Sequence, residues 1–218
     1  MKPRRTFVTG LLAAAVFTAC AVAEDKPIQC ANLIYGGMHT SRCFSDEFLN
    51  AAQKQTTVAT ERRFRSVKLD ADDLFNYPFV LITGEEDFMF SKKERDNLKR
   101  YCENGGFLLA SAGCSSKTFD RAFRRELKAV FGDDALKEIP KEHAIFRTVT
   151  EVKELRLHHA DPTARLLGLE KNGKLVIVYS PHGLNDTEHS EGCCCCGGNE
   201  ISNSLEINVN ILVYALCH

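Results

Sequence analysis

The chain has 218 residues, with 28 Lys+Arg against 29 Asp+Glu, a formal net charge of −1, and a composition 44% hydrophobic, 26% charged and 9% aromatic with no Trp. This is the balance of an ordinary globular protein, and it excludes a disordered or collagen-like chain. The even charge and a pI near 6.7 argue against nucleic-acid binding, which shows as a basic domain or stripe.

Residues 1–23 are expected to be a removable export signal, leaving 24–218 as a single α/β domain. Lys2, Arg4 and Arg5 give a positive start, no acid precedes Glu24, and 10–23 is a continuous small or apolar run ending in the cleavage pattern Ala21-Val22-Ala23. At 14 residues the run is too short to cross a bilayer, which takes roughly 20 helical residues, so no transmembrane span is expected after signal removal. Arg4-Arg5 before Thr6-Phe7-Val8 resembles a twin-arginine signal, with Pro3 where Ser or Thr is usual. The alternative is a general secretory signal that contains two arginines. Phe17-Thr18-Ala19-Cys20 is a weak lipoprotein box, so a soluble periplasmic product is the first expectation and a lipoprotein anchored through Cys20 the second. Loss of 1–23 takes the net charge from −1 to −4 over the remaining 195 residues, enough for one domain with a real core.

Along that remainder, 28–35 reads as a short apolar strand running into Gly36-Gly37. Ser45 caps a helix through about Gln55, with Asp46 and Glu47 favourably placed in its first turn. Extended segments follow near 57–60 and 64–69, and 70–75 reads as one helical turn. Residues 79–83 (FVLIT) are almost wholly apolar, as in a strand buried on both faces of a parallel sheet, and lead into Glu85-Glu86-Asp87. Ser91 and Glu94 have capping-box spacing for a helix that stops at Asn104-Gly105. The next buried strand, 107–111, turns at Gly113-Cys114. Over 117–131, Phe119, Phe123, Leu127 and Val130 share one helix face, which ends at Gly132. Strands 166–170 and 174–180 flank Asn172-Gly173, a hairpin signal. A polar loop covers 181–201, and a last helix over about 204–216 repeats Leu205, Val209, Leu212, Val213 and Leu216. The alternation predicts an α/β fold, a mostly parallel sheet with helices on both faces. Ligands in such sheets sit beyond the carboxyl ends of the strands, here after Tyr35, Thr83, Ser111 and Ser180.

Three stretches also resemble a known family: 75–84 (FNYPFVLITG), 98–110 (LKRYCENGGFLLA) and 119–127 (FDRAFRREL), with His143-Ala144-Ile145-Phe146 behind them. Together they resemble the bacterial domain-of-unknown-function family 4159 over most of 28–217. That family in turn is similar to the class I glutamine amidotransferase-like superfamily and its trehalose-utilisation-like domains. The resemblance implies a flavodoxin-like sheet and no particular activity, since the family has none assigned. Members often carry a His after the Thr-Gly, where this chain has Glu85, and many have acids where it has Ser111-Ala112-Gly113-Cys114.

Ten cysteines are present, and loss of Cys20 leaves nine, so at least one thiol is free, metal-bound or bonded to another chain. The run Cys193-Cys194-Cys195-Cys196 is the sharpest feature. Adjacent Cα atoms are about 3.8 Å apart, below the usual disulfide window of roughly 4.4–6.8 Å, so neighbours do not form ordinary bridges. In an extended run alternate thiols point to opposite sides. Two could hold a soft metal with His182, His189 or Cys114, while the others bridge to Cys30 or Cys43. The spacing is not that of a zinc ribbon, and the alternatives are purely structural cysteines or redox chemistry.

Cys114 follows a central strand on a sharp turn, the place where amidotransferase-like enzymes hold a nucleophile. His182 lies just past a later strand, and Glu85 could orient it. The nucleophile pattern Gly-x-Cys-x-Gly is replaced by Ala112-Gly113-Cys114-Ser115-Ser116, and the alternative is a non-catalytic loop cysteine. Glu85, Glu86 and Asp87 at a strand's carboxyl end suit cations or polar ligands, against a solvated acidic loop. His158-His159 are expected on a surface strand, and Arg121, Arg124 and Arg125 on a hydrated helix face. Asn185-Asp186-Thr187 meets the glycosylation pattern only formally. No Walker or dinucleotide-binding motif is present.

The first functional expectation is an exported binding protein without a catalytic triad. Its small-molecule ligand would meet Glu85, Glu86, Cys114 and His182. A zinc, copper or iron ion would sit on Cys193, Cys194, Cys195 and Cys196 with His182. The alternatives are a thiol-dependent hydrolase or amidotransferase using Cys114, His182 and Glu85, and a scaffold that binds an envelope protein.

Overall fold

The two most apolar stretches of the sequence lie side by side at the centre of the sheet. In the computed structural model, which describes residues 26–159, 164–186 and 199–218, the strands are β1 (Cys30–Tyr35), β2 (His39–Thr40), β3 (Arg65–Lys68), β4 (Phe79–Gly84), β5 (Phe107–Ala112), β6 (Lys137–Glu138), β7 (Leu167–Lys171) and β8 (Lys174–Ser180). The helices are α1 (Glu47–Gln55), α2 (Lys92–Glu103), α3 (Lys117–Phe131) and α4 (Ser204–Cys217). The export signal expected over 1–23, with Cys20, and the run Cys193–Cys196 with His189 lie outside the described residues.

β4 and β5 pair in parallel from Phe79–Phe107 to Gly84–Ala112. Outward from β4 come β1 and then β3, both parallel; outward from β5 comes β8, parallel, followed by β7 and β6, both antiparallel. The sheet is therefore mixed and mostly parallel, with eight strands. Phe79, Val80, Leu81 and Ile82 are all fully buried. Each such side chain is worth roughly 1.5–3 kcal/mol relative to exposure, which is why this segment takes the middle of the sheet.

Alternation along the strands divides the core in two. Phe79, Leu81, Phe107 and Leu109 face α1 and α4. Val80, Ile82, Leu108 and Ala110 face α2 and α3 through Leu98, Tyr101, Phe119 and Phe123. Helices thus cover both faces, as the alternation predicts.

Local chemistry sets the helix ends. Ser91 Oγ accepts the Glu94 N–H while the Glu94 carboxylate accepts the Ser91 N–H, so both halves of the capping box form. Ser116 caps α3 through the Phe119 N–H, and α3 stops at Gly132. The α1 N-cap falls one residue beyond the expected Ser45, on Asp46, while Ser45 Oγ accepts the Glu47 N–H. The helical turn expected at 70–75 is a 3-10 turn, Asp72–Asn76. The segment near 57–60 contributes a single bridge, Ile28 with Thr60, rather than a strand. Asn172 and Gly173 both take positive φ in the β7–β8 turn, as a two-residue hairpin requires.

Candidate functional site

The strand order reverses between β1 and β4, and the crevice at such a reversal is the usual ligand position in an open α/β sheet. Here the chain itself occupies it. Ser41, just after β2, donates to Leu33 O (3.0 Å) and accepts the Thr83 N–H (3.1 Å), spanning β1 and β4 where they separate. The Tyr35 hydroxyl donates to Thr83 O at 2.9 Å. A Cβ on Gly84 would lie 2.3 Å from that hydroxyl oxygen, so only glycine admits the tyrosine there.

The neighbouring rim, at the ends of β4, β5 and β8, carries the polar groups. β5 runs into Gly113, and Cys114 and Ser115 then take left-handed backbone, with φ of 50° and 56°. Two successive non-glycine residues in this region are uncommon and persist only where their surroundings hold them. Four contacts do so. The Cys114 N–H donates to Glu200 Oε1 at 2.8 Å, and the Cys114 thiol donates to Glu85 Oε1 at 3.5 Å. Ser115 Oγ donates to the His182 carbonyl at 2.8 Å, and Ser116 Oγ donates to the Glu85 carbonyl. Gly183, with φ +85°, lets Glu200 pass: a Cβ there would sit 2.8 Å from both Glu200 Oε1 and the Ala112 carbonyl.

Beneath the rim lies a buried network that motif reading did not identify. Asn185 is 1% exposed, and its Oδ1 accepts the hydroxyls of Thr83 (3.1 Å) and Ser111 (2.6 Å). Its Nδ2 donates to the Cys43 carbonyl, and its own carbonyl accepts the Ser45 N–H at 2.9 Å. Ser111 Oγ in turn accepts the Leu184 N–H at 2.7 Å. Asn185 therefore ties β4, β5 and the chain before α1 to the segment leaving β8. Its burial also explains why the glycosylation pattern is only formal: the amide nitrogen faces the core. The sequence gives no motif for this role; the signal was a hydroxyl at matching positions of two apolar strands, Thr83 and Ser111.

The structure brings Glu85, Cys114 and the His182 backbone to one rim. The Cys114 sulfur has a carboxylate as hydrogen-bond partner, and the His182 ring makes no hydrogen bond to it. That ring is half-buried; burial first, then the charges of Lys117 and Arg165, lower its pKa below the ordinary 6.5, with Asp120 opposing. The acidic cluster divides three ways. Glu85 turns to Cys114, Glu86 lies 3.8 Å from His39 Nδ1 and is 82% exposed, and Asp87 pairs with Arg125 at 3.0 Å. Glu86 thus stands apart from the Cys114 side of the rim.

The arginine face of α3 is not uniformly hydrated. Arg124 pairs with Asp120, while Arg125 joins Asp87, the Phe88 carbonyl and the buried Glu126, which Arg95 also holds at 2.9 Å. Glu126 Oε2 accepts the Phe90 N–H as well, so this cluster fixes the loop that carries Glu85. His158 and His159 are exposed beside a single antiparallel bridge, Leu157 with Ile201, rather than on a strand. Among the described residues, no group of three or more His, Cys, Asp or Glu side chains could hold a metal ion. No helix among them is long and apolar enough to cross a membrane.

Residues 29–216 match the model of a family described as a domain of unknown function, DUF4159. No curated protein matches the chain.

Proposed function

The chain belongs to the DUF4159 family, and from that membership and the rim geometry we propose an exported, flavodoxin-like and amidotransferase-like domain that binds a small ligand or a soft metal ion and carries no catalytic triad. The observation that carries this reading is the Cys114 elbow: a left-handed turn held by Glu200, with its thiol donating to Glu85. Nucleophilic cysteines are activated by a base or by nearby positive charge. A thiol beside a carboxylate instead offers a mixed sulfur–oxygen donor pair, the kind that suits borderline metals such as zinc. The Cys193–Cys196 run is the proposed source of further soft ligands, with His182. Two described residues bracketing that run, Asn185 and Glu200, are both held at this rim. Export is proposed from the basic, apolar and small-residue sequence of 1–23, with the periplasm as destination.

The test is elemental analysis of the full chain expressed with its leader and purified from the periplasm. A stoichiometric zinc, copper or iron content is expected, lost when Cys193–Cys196 are replaced by serine and reduced in Cys114→Ser or Glu85→Gln. Metal-free protein removes the metal part, and unchanged content in every variant removes the rim assignment. The elbow after a central strand also favours a second reading, a thiol hydrolase using Cys114, His182 and Glu85. It requires ester or amide hydrolysis that Cys114→Ser and His182→Ala both abolish.

A further inference from the structure

Between β6 and β7 the described residues include one short 3-10 turn, Ala144–Phe146, and the stretch 149–156 is held by side chains of α4 and its N-cap. Asn210, fully buried in α4, accepts the N–H groups of Val149 and Thr150 through Oδ1 and donates to the Thr150 carbonyl. One helical stretch earlier, Asn203 accepts the Arg156 N–H and donates to the Glu154 carbonyl. These two asparagines clamp 149–156 at both ends, and the Val152 N–H closes onto the Phe146 carbonyl at 2.7 Å. Long irregular segments in compact domains are usually functional, and this one encloses space.

The space is a cavity of about 320 Å³, within the roughly 300–1,000 Å³ of small-ligand sites. Ile139, Phe146, Val152, Leu155 and Leu166 form its apolar walls, each less than a tenth exposed. Its mouth carries Lys141, Lys153 and Arg165 against Glu138 and Glu154. Arg165 is engaged by Glu138 at 2.9 Å and Lys153 approaches Glu151 at 3.9 Å, whereas Lys141 has no ion-pair partner among the described residues. Because β7 runs antiparallel to β8, with Leu167 opposite Tyr179, the cavity opens at the carboxyl end of the sheet. Glu85, Cys114 and His182 are not among its lining residues, although Arg165 at its mouth acts electrostatically on His182.

We propose that this edge cavity is a second binding site, with walls distinct from the Glu85–Cys114 rim, for an amphipathic carboxylate: an acyl or aryl acid whose apolar body fills the pocket and whose anion meets Lys141. Pre-formed apolar walls supply affinity, and Lys141, the mouth cation with no ion-pair partner among the described residues, is the charge that favours an anionic headgroup over a neutral one. Titration calorimetry of the whole mature protein with octanoate, decanoate and dodecanoate below their micellar concentrations tests it. One site is expected, with Kd falling about fourfold for each methylene that enters the walls. Val152→Phe, which fills the pocket, is expected to abolish binding while circular dichroism stays unchanged. Lys141→Glu, on an exposed side chain that leaves the core alone, is expected to weaken decanoate about two- to fivefold and leave 1-decanol unaffected. No saturable binding to the parent protein, or binding that survives Val152→Phe in a folded variant, overturns the site. A decanoate Kd unmoved by Lys141→Glu overturns the carboxylate assignment. Neither result bears on metal content at the rim, which is measured separately.

Discussion

Asn185→Ala is the most direct test of the network under the rim. The substitution removes one acceptor shared by the Thr83 and Ser111 hydroxyls and one donor to the Cys43 carbonyl, all reached from a side chain 1% exposed. A buried polar group left unpaired costs about 1–3 kcal/mol, so two hydroxyls alone set a scale of about 2–6 kcal/mol. Two relaxations reduce it. Thr83 and Ser111 are register partners on adjacent strands and their hydroxyls can turn toward each other, and Ser111 Oγ keeps the Leu184 N–H. The expected loss is therefore about 2–4 kcal/mol, a large share of the roughly 5–15 kcal/mol typical of a domain. Urea denaturation of parent, Asn185→Ala, Ser111→Ala and the double variant measures it. The two single losses should not add, because the second substitution removes a hydroxyl the first has already orphaned, and a coupling above about 0.5 kcal/mol is expected. A loss under about 1 kcal/mol, or strict additivity, refutes the network.

Three further outcomes follow from the packing. Glu126→Ala takes from Arg95 its carboxylate partner, leaves Arg125 with only Asp87 and the Phe88 carbonyl, and leaves the Phe90 N–H without its acceptor; both guanidinium groups are a third or more exposed and can turn to water, so the thermal unfolding loss should be about 1–3 kcal/mol rather than the roughly 3–5 of a fully buried pair, and a variant as stable as the parent refutes the role. Burial lowers the pKa of His182 and of His143 below 6.5: the unfolded chain takes up protons first as pH falls, so stability is unaffected above that value and declines below it. The urea midpoint should drop as the pH falls below about 6.5, less steeply in His182→Gln, and a slope unchanged in that variant counts against the buried ring. Burial also pushes the Cys30 and Cys102 thiols up to about 12, leaving about one thiolate in ten thousand at pH 8. Iodoacetamide on the native protein should label the exposed Cys217 and spare both, as read by peptide mass spectrometry; equal labelling contradicts the packing.

Much of this fold was legible because local and global preferences agree. FVLIT and FLLAS are too apolar for anything but central strands, and each falls in one. Ser91 with Glu94, and Asn172 with Gly173, are local devices whose geometry depends on few distant contacts, and both form as read. The expectations that shifted depend on distance. The apolar repeat of α4 does not account for Asn208 and Asn210, which are also fully buried: the 149–156 segment pairs the Asn210 amide, and the Leu184 carbonyl accepts the Asn208 amino group. No periodicity reports a hydrogen bond to a segment sixty residues away. Glu85, Glu86 and Asp87 are contiguous in sequence but meet a thiol, an imidazole and a guanidinium, because each faces a different neighbouring element.

The location of the polar rim follows from what fills the crevice between β1 and β4. In an open α/β sheet that crevice exists because successive connections leave the reversal point in opposite directions, and a ligand ordinarily takes the space. Here Gly36 and Gly37, both at positive φ, turn the chain back so that β2 and Ser41 enter it. Ser41 supplies the hydrogen bonds that β1 and β4 no longer exchange, and Tyr35 closes over Thr83. With that position taken by backbone and buried side chains, the polar groups still facing outward at the carboxyl ends belong to β4, β5 and β8. Those are the strands whose continuations carry Glu85, Cys114 and His182. Their grouping is therefore a consequence of topology rather than of any motif, and it arises only because β4 and β5 stay in register to their last residues, Gly84 opposite Ala112. A one-residue slip there would move Cys114 off the Glu85 side and invert every core side chain of β5, so the same pairing that builds the core also fixes the thiol beside its carboxylate.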